Sequence, residues 1–319
     1  MVNSTLDTSD SATLLKQRFQ AMGCYFEMWV SADDCDAARL RMTSAWAFVH
    51  AVERSLSRFR PDSELSLLNH NAGKKLGVSE LLWTVLALAI QAAEKTGGLF
   101  DPTVLGAMQK SGYNTSFQDM RGSGVSAGAP CERKVGAWRE IERDEKLRTV
   151  KLPHNSGIDL GGIAKGWTAD QAARILSETG SALVDAGGDI AARGGFPDKN
   201  GWIVGVADPF SPSSDITNVS VCDVGIATSG IDYRRWKFVG KEQHHLIDPA
   251  TGKPAVTDLL TVTVIAPTAS EAEVHAKVAM LKGMGNGVHY LEKTPDIEGI
   301  LVSASGDIQK TSGFINYEK

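Results

Sequence analysis

Gly157-Ile-Asp-Leu-Gly-Gly-Ile-Ala-Lys-Gly-Trp-Thr-Ala-Asp170 is the stretch on which the fold turns. A short apolar run meets two adjacent glycines, and helical sequence follows to Ser177, so the segment reads as strand, turn and helix. Downstream, a strand at Ala182–Asp185 runs into Gly187-Gly188. The chain then becomes strand-rich: Gly201–Ala207, Val219–Cys222, Gly225–Thr228, His244–Ile247, Leu260–Ala266 and Ile300–Ser303. One helix, Ser270–Lys282, interrupts them, with Thr268 as its cap. Upstream, Met22–Ser31 reads as a strand and Asp33–Leu56 as an amphipathic helix. Ser79–Lys95 reads as an apolar helix stopped by Gly97-Gly98, and Val135–Ile141 and Thr149–Leu152 as strands. This alternation lacks the steady strand–helix–strand rhythm of a doubly wound sheet. It predicts an α+β fold, with antiparallel sheets flanked by helices. A single domain over 17–319 is expected, preceded by a loose polar stretch at 1–16. A loop excursion is expected at 110–130, where small residues replace large apolar ones.

The bulk composition excludes several function classes. With 42% hydrophobic and 22% charged residues, the 319-residue chain sits in the ordinary globular range. A net charge of −5 without a long basic run argues against a nucleic-acid binder. The N-terminus has no basic start, apolar core or small-residue cleavage site, and the apolar run Leu81–Ala93 is too short to span a bilayer. A cytoplasmic protein without a membrane anchor is therefore expected. The cysteines, Cys24, Cys35, Cys131 and Cys222, are widely spaced with no C-x-x-C pair, and read as free thiols rather than zinc ligands.

Five segments carry chemistry. At Gly161-Gly162 the backbone can approach a ligand closely, and the helix that follows offers free N–H groups and a positive dipole end to a phosphate, with Lys165 adding a full charge. A tight packing turn with a surface lysine fits the same residues. Leu183-Val-Asp-Ala-Gly-Gly-Asp-Ile190 again places glycines and carboxylates after a strand. Neither segment matches G-x-G-x-x-G or a P-loop. His244-His-Leu-Ile-Asp-Pro-Ala-Thr-Gly252 puts ionisable groups on a turn after a short strand. Its two histidines face opposite sides there, which disfavours their joint use as metal ligands. Leu99-Phe-Asp-Pro-Thr103 reads as a turn. Glu273 and Lys277 lie four residues apart, on one face of a helix.

Taken together and in order, these blocks resemble the FAD:protein FMN transferase, or ApbE, family. The resemblance rests on Met22-Gly23, Leu56-Ser-Arg-Phe59 with Pro61-Asp-Ser-Glu-Leu-Ser-Leu-Leu-Asn69, Gly98-Leu-Phe-Asp-Pro-Thr103 and Asp159-Leu-Gly-Gly-Ile-Ala-Lys-Gly166. It continues through Asp185-Ala-Gly-Gly-Asp189, Ala227-Thr-Ser-Gly230, His245–Gly252 and Val264–Ala269, and so runs from Met22 to Gly283. It implies an ApbE-like fold and an enzyme that cleaves the pyrophosphate of FAD, its substrate. AMP leaves, and FMN is joined by a phosphoester bond to a Thr or Ser of an acceptor flavoprotein. It further implies flavin contacts at Met22, Phe59, Leu99, Phe100, Asp101, Asp159, Lys165 and Leu246, with Phe59 standing where many members have Tyr. His245 is the expected base for the acceptor hydroxyl. The family pattern also implies Mg²⁺, held here by backbone at Gly162 and Ala164 and by Glu273. Where most members have Asp and Thr on the helix, this chain has Glu273 and Lys277. An ammonium has no lone pair and cannot replace a Thr ligand, but it offers the pyrophosphate a fixed positive charge, which makes Lys277 a catalytic candidate. The alternatives are an FAD diphosphatase and a non-catalytic FAD-binding protein.

Overall fold

The computed structural model describes residues 12–117, 119–120, 135–196 and 201–319. Its frame is one eight-stranded sheet in which every neighbouring pair is antiparallel. In sheet order the strands are β1 (Thr13–Ala21), β2 (Cys24–Ala32), β3 (Ser181–Ala186), β4 (Asp189–Arg193), β5 (Gly225–Gly230), β6 (Leu259–Ala266), β7 (Glu298–Ser303) and β8 (Ile308–Lys310). Strand alternation sorts their side chains to two faces. Ala182, Val184 and Ala186 of β3 join Phe26, Met28 and Val30 of β2 in a core covered by helices. Leu183 points the other way, towards Trp202, Val206 and Val219 of the ribbon formed by Trp202–Asp208 and Ser211–Val221. Phe26, Met28 and Val30 are fully buried, and each such side chain is worth about 1.5–3 kcal/mol of hydrophobic stabilisation.

The helices are α1 (Cys35–Leu56), α2 (Glu64–His70), α3 (Glu80–Lys95), α4 (Leu105–Lys110), α5 (Ala164–Leu176), α6 (Ala269–Lys282) and α7 (Met284–Glu292). Their starts follow from capping side chains. Asp34 accepts from the backbone N–H of Asp36 and Ala37, Ser79 from Leu82, and Thr268 from Glu271. The buried carboxylate of Asp170 on α5 accepts from the N–H groups of Ala269 and Ser270 at 2.8 and 3.1 Å, which fixes α6 against α5. Helices α1–α3 enclose a second core with Phe100, Trp138 and Ile158.

The α+β class and the antiparallel sheet match the sequence expectation, and several local assignments need correcting. Thr13–Lys16, expected to be loose, open β1. It is an edge strand whose exposed residues alternate with Leu15, Phe19 and Ala21, which pack onto the helix-covered core. Ala137–Glu140 is a 3₁₀ turn rather than a strand, with Trp138 buried against α3. Gly157–Leu160 forms no strand, while α5 begins at Ala164, just past the glycine pair, as the sequence implies. His244–Ile247 is split between two short strands, Lys241–His244 and Ile247–Asp248. Helix α7 was not anticipated. It starts where Gly283, at φ 75°, ends α6. Most of the 110–130 stretch, together with Cys131, lies outside the described residues.

Candidate active site

Sequence-distant segments converge on a cavity of about 430 Å³. Its walls come from the β1–β2 turn, the chain after α1, the Leu99–Asp101 loop, the Gly161-Gly162 turn into α5, the His245–Ile247 segment and α6. Met22, Phe59, Leu99, Phe100, Asp101, Asp159, Gly162, Ala164, Lys165, His245, Leu246 and Lys277 all line it. Glu273 sits behind the wall, bound to Lys165.

Met22 and Gly23 form the two-residue turn between β1 and β2, with φ of 51° and 74°. Positive φ at both positions suits the twist of a hairpin but is uncommon for methionine. The Met22 N–H donates to Glu53 Oε1 at 2.6 Å, which ties the turn to α1. Asp101 is committed to its own loop. Its carboxylate accepts from Thr103 N–H and Oγ1 at 2.7 and 2.6 Å and from Gly136 N–H at 2.7 Å. Leu99 and Phe100 are held by Thr96, whose carbonyl accepts from the Leu99 N–H and whose Oγ1 accepts from the Phe100 N–H.

Asp159 receives the Arg58 guanidinium, with Nε to Oδ2 at 2.6 Å, and the Gly161 N–H at 2.8 Å. Arg58 stacks over Phe59 and Tyr113, donates to the Tyr113 carbonyl, and keeps a buried Nη2 without a hydrogen-bond partner among the described residues. Arg58 and Tyr113 were missed as site residues. Arg58 does stand within the quoted Leu56-Ser-Arg-Phe59 block, next to a predicted contact.

On the opposite wall Lys165 bridges two carboxylates, Asp189 and Glu273, the latter at 2.9 Å. The second oxygen of Glu273 accepts from the Gly166 N–H at 3.0 Å. A first-turn N–H of α5, expected to be open to phosphate, is thus already used. Asp189 was another missed member, although its Gly-Gly-Asp turn is visible in the sequence.

Lys277 Nζ comes up beside Gly162 and lies 5.5 Å from the centre of the Phe100 ring. It has no carboxylate within ion-pairing distance among the described residues. Burial lowers its pKa, partly offset by Glu273 and Asp159. Burial, then the charges of Arg234 and Lys277, hold His245 well below its ordinary pKa, so its ring is neutral. His245 Nδ1 is buried without a partner among the described residues. His244, the last residue of the Lys241–His244 strand, does not line the cavity and contacts the Ala255 carbonyl through Nε2 at 3.0 Å, whereas His245 lies just past that strand.

The residues expected to hold Mg²⁺ do not suit it. Both Glu273 oxygens are engaged, and the position of the second helical ligand carries an ammonium beside Gly162. A divalent ion there would face a fixed like charge at close range.

The ApbE family model matches residues 22–301. An FAD:protein FMN transferase of Treponema pallidum is 32% identical over 297 residues, covering 86% of this chain and 80% of that protein. One from Klebsiella pneumoniae is 29% identical, over 85% of this chain and 79% of its own. The ApbE protein of Thermotoga maritima superposes with a TM-score of 0.86 at 25% identity, over 96% of this chain and 100% of that one. The apo flavinyl transferase ApbE of Pseudomonas stutzeri shares the fold, with a TM-score of 0.81 at 21% identity and 98% coverage of each chain. The chain belongs to the ApbE family.

Proposed function

We infer that this protein is an FAD:protein FMN transferase whose reaction takes place in the cavity between the Gly161-Gly162 turn, α6 and the His245 segment. The observation that carries this reading is the convergence of Lys165, Arg234 and Lys277 with the neutral imidazole of His245, whose buried Nδ1 has no partner among the described residues, on one cavity of ligand size. Phosphoryl transfer needs positioning and positive charge more than covalent help, and this wall supplies both.

In the proposed reaction the acceptor Thr or Ser oxygen forms a bond to the FMN-side phosphorus of FAD. The bond from that phosphorus to the bridging oxygen breaks, and AMP leaves with the oxygen and its electron pair. The hydroxyl proton passes to His245 and then to water. Met22, Phe59, Leu99, Phe100 and Leu246 supply apolar surface for the isoalloxazine. Arg58, fixed by Asp159, offers its free Nη2 to a polar edge of the substrate. No helix among the described residues is long and apolar enough to cross a membrane. A cytoplasmic acceptor is part of the proposal, and cell fractionation tests it.

The decisive experiment is mass spectrometry of the protein incubated with FAD and a flavoprotein fragment bearing an acceptor Thr. An FMN mass gain on the fragment with one AMP released per adduct is expected. FMN and AMP formed without an adduct would instead make the protein a diphosphatase, and intact FAD throughout would make it a carrier.

A further inference from the structure

We propose that the ammonium of Lys277 is the resident counter-cation for the FAD pyrophosphate, so that this enzyme works without a divalent metal at that position. The inference rests on the transfer reading above and deepens it. Three observations carry it.

The first is position. Lys277 Nζ sits against Gly162 at the entrance to α5, on the same cavity wall as Lys165 and His245. An added Cβ at Gly162 would overlap it. Gly162 does not have positive φ, so close approach of the lysine, rather than backbone conformation, is what calls for glycine there.

The second is availability. Lys165 is held by Asp189 and Glu273, and Arg58 by Asp159, whereas Lys277 has no carboxylate within 4.0 Å among the described residues. A half-buried ammonium facing a cavity gains most when an anion enters and supplies the missing partner.

The third is the donor set. Glu273, the oxygen ligand that a metal would need on α6, gives one oxygen to Lys165 and the other to the Gly166 N–H. The wall is closed around a network of organic cations, and Lys277, beside Gly162, brings a charge that no carboxylate among the described residues answers. Unlike a metal, that charge arrives with the fold and cannot be chelated.

The test uses the 319-residue protein stripped with EDTA, checked for metal by elemental analysis, and compared with the same protein in excess Mg²⁺. FAD affinity is read by flavin fluorescence and transfer by mass spectrometry of the acceptor. Wild type should bind FAD with the same affinity and form adduct at the same rate, within twofold, under both conditions. Titration of Mg²⁺ into the FAD-loaded protein should show no calorimetric binding at millimolar concentration. Lys277→Met should lose at least tenfold in FAD affinity in EDTA while keeping a native circular dichroism spectrum. A double variant, Glu273→Asp with Lys277→Thr, should acquire calorimetric Mg²⁺ binding and an EDTA-sensitive rate. A wild-type rate or affinity that falls more than tenfold in EDTA and returns with Mg²⁺ would overturn the inference. So would unaltered FAD affinity in Lys277→Met. Metal-independent FAD binding that is lost in Lys277→Met, with no adduct under either condition, would uphold the role of Lys277 and sink the transfer reading instead.

Discussion

Lys277 fills the space that any side chain at Gly162 would need, so a residue of α6 and a residue of the turn before α5 are fitted to each other across the cavity wall. The same added Cβ would also come within 3.3 Å of the Phe100 ring, so the flexible end of Lys277 is the group that must give way. Gly162→Ala should therefore push the ammonium out of line without unfolding the protein. Overpacking of this kind costs about 1–3 kcal/mol of stability. Misplacing a charge by about an ångström costs on the order of 100-fold in rate. Adduct formation should fall by about that factor while thermal unfolding stays cooperative. A variant within threefold of wild type would show that the position of Lys277 is not critical.

The Arg58–Asp159 pair sits at the cavity floor with both side chains nearly buried, at 6% and 10% exposure. Removing one partner of such a pair leaves a buried charge unanswered and costs about 3–5 kcal/mol, whereas replacing both by apolar groups of similar size is often close to neutral. Asp159→Asn should thus lower stability by about 3 kcal/mol in urea unfolding. Arg58→Met combined with Asp159→Leu should recover most of it yet still bind FAD poorly. If the single substitution leaves stability unchanged, the ion pair is not formed in solution.

His245 is held neutral by burial and by the nearby positive charges of Arg234 and Lys277. A base must be unprotonated, and an ordinary histidine would lose half its capacity near pH 6.5. For His245 the acid limb of kcat/KM should lie well below that value, with the rate flat from neutral pH through 6.5. His245→Asn should reduce transfer by about 10²–10⁴-fold while leaving FAD affinity within a few fold. A wild-type profile that halves at pH 6.5, or a variant with unimpaired turnover, would remove His245 from the proton transfer.

Most of the residues singled out in the sequence line the cavity, and less of the fold around them was legible. The bounds of α3, an apolar helix behind Ser79, and of α6, behind its Thr268 cap, were legible almost to the residue, because composition and capping are local properties. Strand β1 was not legible. Its inward residues Leu15, Phe19 and Ala21 are interrupted by polar Gln17 and flanked by charges, and pairing with β2 is what completes the strand. Trp138 looked strand-like by propensity, yet its burial against α3 is a tertiary fact. Lys277 and Glu273 could be paired on paper by their spacing. Nothing local said that Glu273 would instead turn to Lys165, 108 residues away. Arg58 was hidden for the same reason, since its partner Asp159 comes from another segment.

Away from the cavity, His275 on α6 meets Tyr290 on α7, with Nδ1 2.6 Å from the phenol oxygen. Burial, helped by the charge of Lys95, lowers the His275 pKa to about 4, and burial raises Tyr290 to about 12. Both groups are therefore neutral near pH 7 and share a hydrogen bond. Above pH 6.5 neither the folded nor the unfolded chain protonates this histidine, so its contribution to stability is fully present. As pH falls from 6.5 towards 4, the unfolded chain takes up a proton that the folded protein refuses, and stability drops. The loss is at most about 3 kcal/mol, since one pKa unit is worth about 1.4 kcal/mol, and it levels off below the folded pKa. Urea unfolding of wild type and His275→Phe at pH 7 and at pH 4.5 isolates this residue from the other titrating groups. The variant should lose less stability than wild type across that interval. Parallel losses in the two proteins would mean that His275 is protonated as readily in the folded protein as in the unfolded chain.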